Sequence, residues 1–256
     1  MADSLEGKVA IVTGGARGIG HAYSRALAAE GAAVVVADLL EQEGRETVET
    51  IRENAGRALY QHVDVADADS VGRLATAAAS EFGGIDILVN NAAMFASLRG
   101  GPFLDIDAER WDRTMAVNVK GAFLCIQAVV PHMRARGGGA IVNQSSIAAF
   151  GLAGMLDYSV SKSALIGLTK NVALELGADR IRVNCIAPGG VATEANAGHI
   201  GGGIELVRER AKANQAIPEA IRPEDMVGPL LYLVGDASKL MTGQTVVFDG
   251  GRFLLG

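Results

Sequence analysis

Short β-branched runs alternate with longer stretches of helical periodicity from Val9 to Phe248, and few folds accept that pattern. Val9–Thr13 is an uninterrupted apolar run, as expected of a strand covered on both faces. Gly18–Glu30 follows, with Ile19, Tyr23, Ala26 and Leu27 at helical spacing. Further strands are predicted at Ala33–Ala37, Ala58–Val63, Ile85–Asn90, Ala140–Gln144, Ile181–Ile186 and Thr245–Phe248. Helices are predicted between them at Glu41–Asn54, Asp67–Phe82 and Tyr158–Leu176, with a short one at Pro223–Val234. A long helix from Asp107 to Arg136 should be interrupted or bent near Pro131. Parallel strands need crossover helices, and right-handed crossovers cover both faces of the sheet. The expectation is an α/β chain: one Rossmann-type, doubly wound parallel sheet of about seven strands flanked by helices. No Pro/Ser-rich linker or composition shift divides it, so residues 1–256 read as one domain. The weakly patterned stretch 193–216, with Gly201–Gly202–Gly203 inside it, reads as a mobile substrate lid.

Composition narrows the function classes. Apolar residues make up 49% and charged residues 20%, which excludes a disordered chain. The net charge of −6, with no basic block, argues against nucleic acid as a partner. Cys125 and Cys185 stand 60 residues apart in apolar runs, as two buried thiols in a reducing cytoplasm would. The polar start, Met1 to Lys8, shows no signal peptide, and no run approaches 18 apolar residues, so no membrane span is expected. His21, His62, His132 and His199 share no spacing, so no metal site is expected.

Thr13-Gly14-Gly15-Ala16-Arg17-Gly18-Ile19-Gly20 joins the first predicted strand to the first helix. Glycines at such a turn let backbone approach a pyrophosphate, and the helix N-terminus offers free N–H groups. Gly14, Arg17, Gly18, Ile19 and Gly20 are therefore candidate dinucleotide contacts. Asp38 lies 18 residues after Gly20, near the offset of a ribose-binding acid. A carboxylate there accepts hydrogen bonds from the ribose hydroxyls of NAD and repels the 2′-phosphate of NADP. Leu39 and Leu40 follow, so no adjacent base offsets that repulsion, although Arg17 could meet a phosphate. NAD is the expected cofactor. Asp38 could equally cap a helix. Asp64-Val65, where an adenine could rest, and Asn91-Ala92 end the third and fourth strands on the same edge.

Tyr158 and Lys162 are four residues apart at the start of a helix, on one face. An ammonium beside a phenol favours the phenolate, giving a group that takes or returns an alcohol proton. Alone, this pair is common. It occurs here after Asn90-Asn91-Ala92-Ala93, Asn118 and Ser145-Ser146, and before Asn184-x-x-Ala187-Pro188-Gly189, Thr242-Gly243-Gln244 and Asp249-Gly250-Gly251. That ordered set resembles the short-chain dehydrogenase/reductase family over Leu5 to Gly251.

The resemblance implies that Tyr158 is the general acid/base and that Lys162 lowers its pKa and binds the nicotinamide ribose. It also implies that a serine holds the substrate oxygen and that Asn118 holds a water linking Lys162 to solvent. Ser145 is 13 positions before Tyr158, the family's downstream spacing, and Ser146 is 28 after Asn118, its upstream register. Strands keep register better than loops, which favours Ser146 over Ser145. Ala93 stands where the family more often has glycine. By position, Val191 and Thr193 should meet the carboxamide side of the nicotinamide, and Thr193 could also cap the lid helix.

The expected substrate wall, Ala148, Phe150, Leu152, Met155 and Leu156 with Met94 and Phe95 opposite, is apolar. It suggests a hydrophobic, cyclic or aromatic secondary alcohol or ketone, although core or interface packing explains the same residues almost as well. No paired arginine awaiting a carboxylate is evident, although Arg99 lies in a nearby loop. The family usually forms homotetramers, and small-residue faces at Ala122–Val130 and Ala164–Ala173 permit that. The alternatives are an NADP-dependent ketoacyl-type reductase and a non-catalytic NADH-binding regulatory protein.

Overall fold

Among the described residues, seven strands form one parallel sheet. They are β1 (Val9–Thr13), β2 (Ala33–Asp38), β3 (Arg57–His62), β4 (Ile87–Asn90), β5 (Gly139–Gln144), β6 (Ile181–Pro188) and β7 (Thr245–Phe248). The computed structural model describes residues 5–200 and 203–254. The first four residues of the polar Met1–Lys8 start, Gly201 and Gly202 of the expected lid, and the His199 side chain lie outside the described set.

The strand order is β3-β2-β1-β4-β5-β6-β7. The chain changes direction across the sheet between β1 and β4, and that reversal opens a crevice at the carboxyl ends of the strands. Alternate side chains serve opposite faces. Val12, Val34, Val36 and Val142 share one buried cluster with Tyr23 and Leu27 of α1 (Gly18–Ala29), Val48 and Ile51 of α2 (Glu41–Glu53), and Leu230 and Leu233 of α9 (Val227–Val234). Ile11, Val35, Leu88 and Ile141 share the other with Leu74 of α3 (Ala68–Phe82), Ile126 and Met133 of α5 (Gly121–Ala135), and Ala173 of α6 (Leu156–Leu176).

Two details depart from the sequence reading. β4 starts at Ile87 rather than Ile85, because the Asp86 carboxylate turns in to accept the Val9 N–H at 2.9 Å and the Arg136 guanidinium at 3.2 Å. The long helix is not interrupted at Pro131. It runs as α4 (Ala108–Met115), a π turn (Ala116–Lys120) and α5, with Pro131 inside α5 on its exposed face. The extra residue of the π turn swings Asn118 inward, where its amide is buried and fully bonded. Residues 108–135 are also long and apolar enough to pass as a membrane span, with a mean hydropathy of 1.3 in the best window. In the fold this is a core helix, its Cys125, Ile126, Val129 and Met133 packed under the sheet.

The lid stretch folds as α7 (Glu194–Ile200) and α8 (Gly203–Asn214). Val207 and Ala211 of α8 are buried.

Candidate active site

The crevice holds one large cavity of about 1300 Å³, running from the β2 exit to α7 and α8. At one end lies the glycine turn. Gly14 and Gly18 have φ of +63° and +56°, a conformation that glycine alone adopts at no cost. A Cβ on Gly14 would stand 2.9 Å from Ala92 Cα. A Cβ on Gly18 would point into the cavity, with Thr193 Cγ2 its nearest neighbour at 3.5 Å. Gly20 does not line the cavity. It lies beneath the turn, where a Cβ would run into the Gly14 carbonyl and the Asn91 amide. Asn91 ties the turn to the β4 exit, its Nδ2 donating to the Thr13 and Gly14 carbonyls at 3.0 Å each.

Asp38 closes this end. Its Oδ2 accepts the Ala16 N–H at 3.0 Å and its Oδ1 the Leu40 N–H at 3.1 Å. The carboxylate is thereby fixed on the cavity wall with lone pairs left for a ligand. It supports the start of the second helix, but Leu40 is that helix's N-cap. Arg17, Ile19, Leu39, Asp64, Val65 and Ala92 line the same cavity. A backbone cradle without side chains, opening onto a carboxylate and an exposed leucine, fits a nicotinamide dinucleotide cofactor.

At the other end stand Ser146, Tyr158 and Lys162. Ser146 follows β5, its Oγ accepts the Ala148 N–H at 3.1 Å, and its hydroxyl faces the Tyr158 side of the cavity. Ser145 turns the other way, donating to the Lys162 carbonyl at 2.7 Å. The Tyr158 ring packs on Phe95, centroids 5.0 Å apart. Burial pushes the Tyr158 phenol up to about 12, with the Ser146 hydroxyl acting in the opposite direction. Lys162 is 2% exposed, and burial pushes its ammonium down to about 8. Its Nζ donates to the Gln144 carbonyl at 2.8 Å and lies 5.5 Å from the Tyr158 ring centroid.

Asn118 lies behind the cavity wall. Its Oδ1 accepts the Met94 N–H at 2.7 Å and its Nδ2 donates to Ser161 Oγ at 3.0 Å. Its side chain thus braces the loop after β4 against α6. Val191 and Thr193 line the cavity, and Thr193 Oγ1 also accepts the Asn196 N–H at 3.1 Å, capping α7.

Of the expected substrate wall, Phe95, Ala148, Leu152 and Met155 line the cavity, while Met94, Phe150 and Leu156 do not. Phe150 instead packs against Phe253. The structure adds two residues that sequence reasoning missed. Arg210 of α8 and Arg252 after β7 both line the cavity, and neither has an ion-pair partner among the described residues. Arg99, the candidate from the sequence, does not line it. The one available signal was that Arg252 directly follows Asp249-Gly250-Gly251.

Comparison with known proteins gives the chain's family and agrees with its fold. A family model described as enoyl-(acyl carrier protein) reductase matches residues 14–252. A Mycobacterium tuberculosis protein named as an uncharacterized oxidoreductase is 43% identical over 98% of this chain and 99% of its own. The trans-4-hydroxycyclohexanecarboxylate dehydrogenase of Sinomonas cyclohexanicum is 40% identical over 98% of this chain and 95% of its own. Among solved structures, a double mutant of a Serratia marcescens short-chain dehydrogenase/reductase is 36% identical and superposes with a TM-score of 0.88, covering 97% of this chain and 99% of that one.

Proposed function

Because the chain belongs to the short-chain dehydrogenase/reductase family, we propose that it is an NAD-preferring oxidoreductase that interconverts a secondary alcohol and a ketone, with Tyr158 as general acid/base. The observation that carries this reading is one continuous cavity with Asp38 and the glycine cradle at one end and Ser146, Tyr158 and Lys162 at the other.

Gly14, Arg17, Gly18, Ile19, Asp38, Leu39, Asp64, Val65, Asn91, Ala92, Val191 and Thr193 would hold the dinucleotide, with Gly20 keeping the cradle in shape from below. When bound, the nicotinamide supplies the two-electron acceptor or donor of the reaction. Ser146 orients the substrate oxygen through its hydroxyl. Tyr158 takes the alcohol proton in the oxidative direction and returns it to the carbonyl oxygen in the reductive one. Lys162 makes that possible: its positive charge favours the phenolate that burial alone opposes. Asn118 keeps Tyr158's helix and the loop after β4 in register. Asp38 favours NAD, because its fixed carboxylate repels a 2′-phosphate. Closure of α7 and α8 would exclude water from the site.

The apolar wall of Phe95, Ala148, Leu152 and Met155 favours a hydrophobic ring as the substrate body. Arg210 and Arg252 favour a substrate that also bears a carboxylate away from the carbinol carbon, and the relative acting on trans-4-hydroxycyclohexanecarboxylate is a precedent for that class. A homotetramer, the usual family assembly, fits the exposed apolar residues Phe123, Val160 and Leu174 on α5 and α6.

The test is reduction of NAD and, separately, NADP across cyclic, aromatic and aliphatic secondary alcohols, each with and without a distal carboxylate. Turnover should be greatest with NAD and a cyclic hydroxycarboxylate. Tyr158→Phe should lower kcat by about 10²- to 10⁴-fold while NADH still binds. A Tyr158→Phe enzyme that keeps its activity would refute the proposal.

A further inference from the structure

The first turn of α6 carries a second charged pair that the proton-transfer set does not use. Asp157, the residue before Tyr158, is 0% exposed. Arg110 of α4 donates to both of its oxygens, Nε to Oδ2 at 2.8 Å and Nη2 to Oδ1 at 3.0 Å. Thr114 Oγ1 stands 3.3 Å from Oδ2 and also donates to the Arg110 carbonyl at 2.9 Å. Arg110 is itself anchored, its N–H donating to the α4 cap Asp107 at 2.7 Å. One turn further along α6, Ser161 Oγ donates to the Tyr158 carbonyl at 2.7 Å and accepts from Asn118 Nδ2 at 3.0 Å. Tyr158 therefore sits between two cross-links, an ion pair before it to α4 and a hydrogen bond after it to the π turn.

Burying an ion pair carries a desolvation penalty that an apolar contact of the same shape avoids. Packing alone thus gives no reason for a bidentate carboxylate–guanidinium pair at this point. The neighbouring phenol does. The groups that surround the Tyr158 turn are Lys162 on α6 itself, Ser146 from the β5 exit, Phe95 from the loop after β4, Arg110 and Thr114 from α4, and Asn118 from the π turn. The charged members are Lys162, Arg110 and Asp157. We infer that Arg110 and Asp157 are positioning residues for Tyr158: they clamp its helical turn to α4 and keep the adjacent buried carboxylate electrically silent. The inference rests on Tyr158 being the proton-transfer group.

The test uses Arg110→Met, Arg110→Lys, Asp157→Asn and the double variant Arg110→Met/Asp157→Leu, each in the full chain saturated with dinucleotide. Two readouts are taken. One is the pH profile of kcat. The other is the phenolate absorbance of Tyr158, obtained as the difference from the same protein carrying Tyr158→Phe. Arg110→Met should lose at least about tenfold in kcat with NADH affinity unchanged. Its Tyr158 ionisation should move up by about half a unit or more, because an unpaired carboxylate opposes the phenolate. Arg110→Lys should recover most of both. The double variant should ionise as the parent does. A folded Arg110→Met protein with unmoved Tyr158 ionisation, or a double variant that titrates as high as Arg110→Met, would overturn the inference. If Arg110→Met does not fold, Asp157→Asn decides: its Tyr158 should ionise at lower pH, and an unmoved titration refutes the clamp. The absorbance readout needs no turnover, so a parent protein inactive on every alcohol would count against the proposed reaction and leave the clamp to be judged on its titration.

Discussion

The dinucleotide end of the cavity is walled by strand exits and backbone: Gly14 and Gly18 after β1, Asp38 at the end of β2, and Asn91 and Ala92 after β4. The substrate end is walled by side chains from pieces far apart in the chain: Phe95 from one loop, Leu152 and Met155 from another, Arg210 from α8 and Arg252 beyond β7. The first end is held by short-range geometry that tolerates almost no change of residue. A Cβ on Gly20 meets the Gly14 carbonyl, whereas one on Gly100, at the substrate end, would find its nearest neighbour, the Gly154 carbonyl, at an ordinary 3.5 Å. One end of the cavity is thus specified by backbone conformation and the other by the convergence of loops. The family's shared cofactor binding should belong to the former and its choice of substrate to the latter.

Paired glycine substitutions would break that contrast most directly. Gly20→Ala overpacks a backbone-lined site, which costs about 1–3 kcal/mol. Dinucleotide affinity should fall by about tenfold to a hundredfold, with a lowered Tm. Gly100→Ala should leave NADH binding and Tm unchanged. Fluorescence titration with NADH and thermal unfolding of both proteins check this, and equal losses would mean that the two ends are equally rigid.

A smaller effect is expected at Asp38. The carboxylate is held by the Ala16 and Leu40 N–H groups, so it cannot swing away from a 2′-phosphate at no cost. Asp38→Ala should shift the ratio of NAD to NADP preference by at least about tenfold towards NADP, given about 1.5–3 kcal/mol for hydrogen bonds to a charged acceptor. Steady-state kinetics with each dinucleotide measures it. The substrate order across the alcohol panel should not change, since Asp38 lies at the other end.

The same division decides what could be read from sequence. The dinucleotide end was legible because its residues follow one another at strand exits: Gly14 to Gly20, then Asp38, then Asn91 fall at fixed offsets from apolar runs. Tyr158 and Lys162 were legible because four residues on a helix share a face. The choice of Ser146 over Ser145 rested on strand register; in the fold Ser146 Oγ accepts the Ala148 N–H, whereas Ser145 Oγ donates to the Lys162 carbonyl. The π turn was not legible. Pro131 was the visible helix breaker, but it sits on an exposed face inside a continuous α5, while the real irregularity is held by Asn118 gripping Met94 and Ser161, 24 and 43 residues away. Arg210 and Arg252 were illegible for the same reason, since only the folded chain brings α8 and the segment after β7 to one cavity.

Thr193 lies where the two ends meet, and it offers the finest test of the comparison. It lines the cavity next to Gly18, and its Oγ1 also caps α7 by accepting the Asn196 N–H. The two roles predict different kinetics. Losing a cap costs about 1 kcal/mol, a several-fold shift in the population of the ordered helix. If the cap is the main role, Thr193→Ala should raise KM for the alcohol several-fold and leave NADH affinity unchanged, because the lid end alone is loosened. Thr193→Ser, which keeps the capping oxygen, should restore the parent value. If contact with the nicotinamide is the main role, NADH affinity should fall and the alcohol KM, measured at saturating dinucleotide, should stay where it was. The capped geometry favours the first outcome, which would make Thr193 the hinge between a rigid dinucleotide cradle and a substrate end that closes over it.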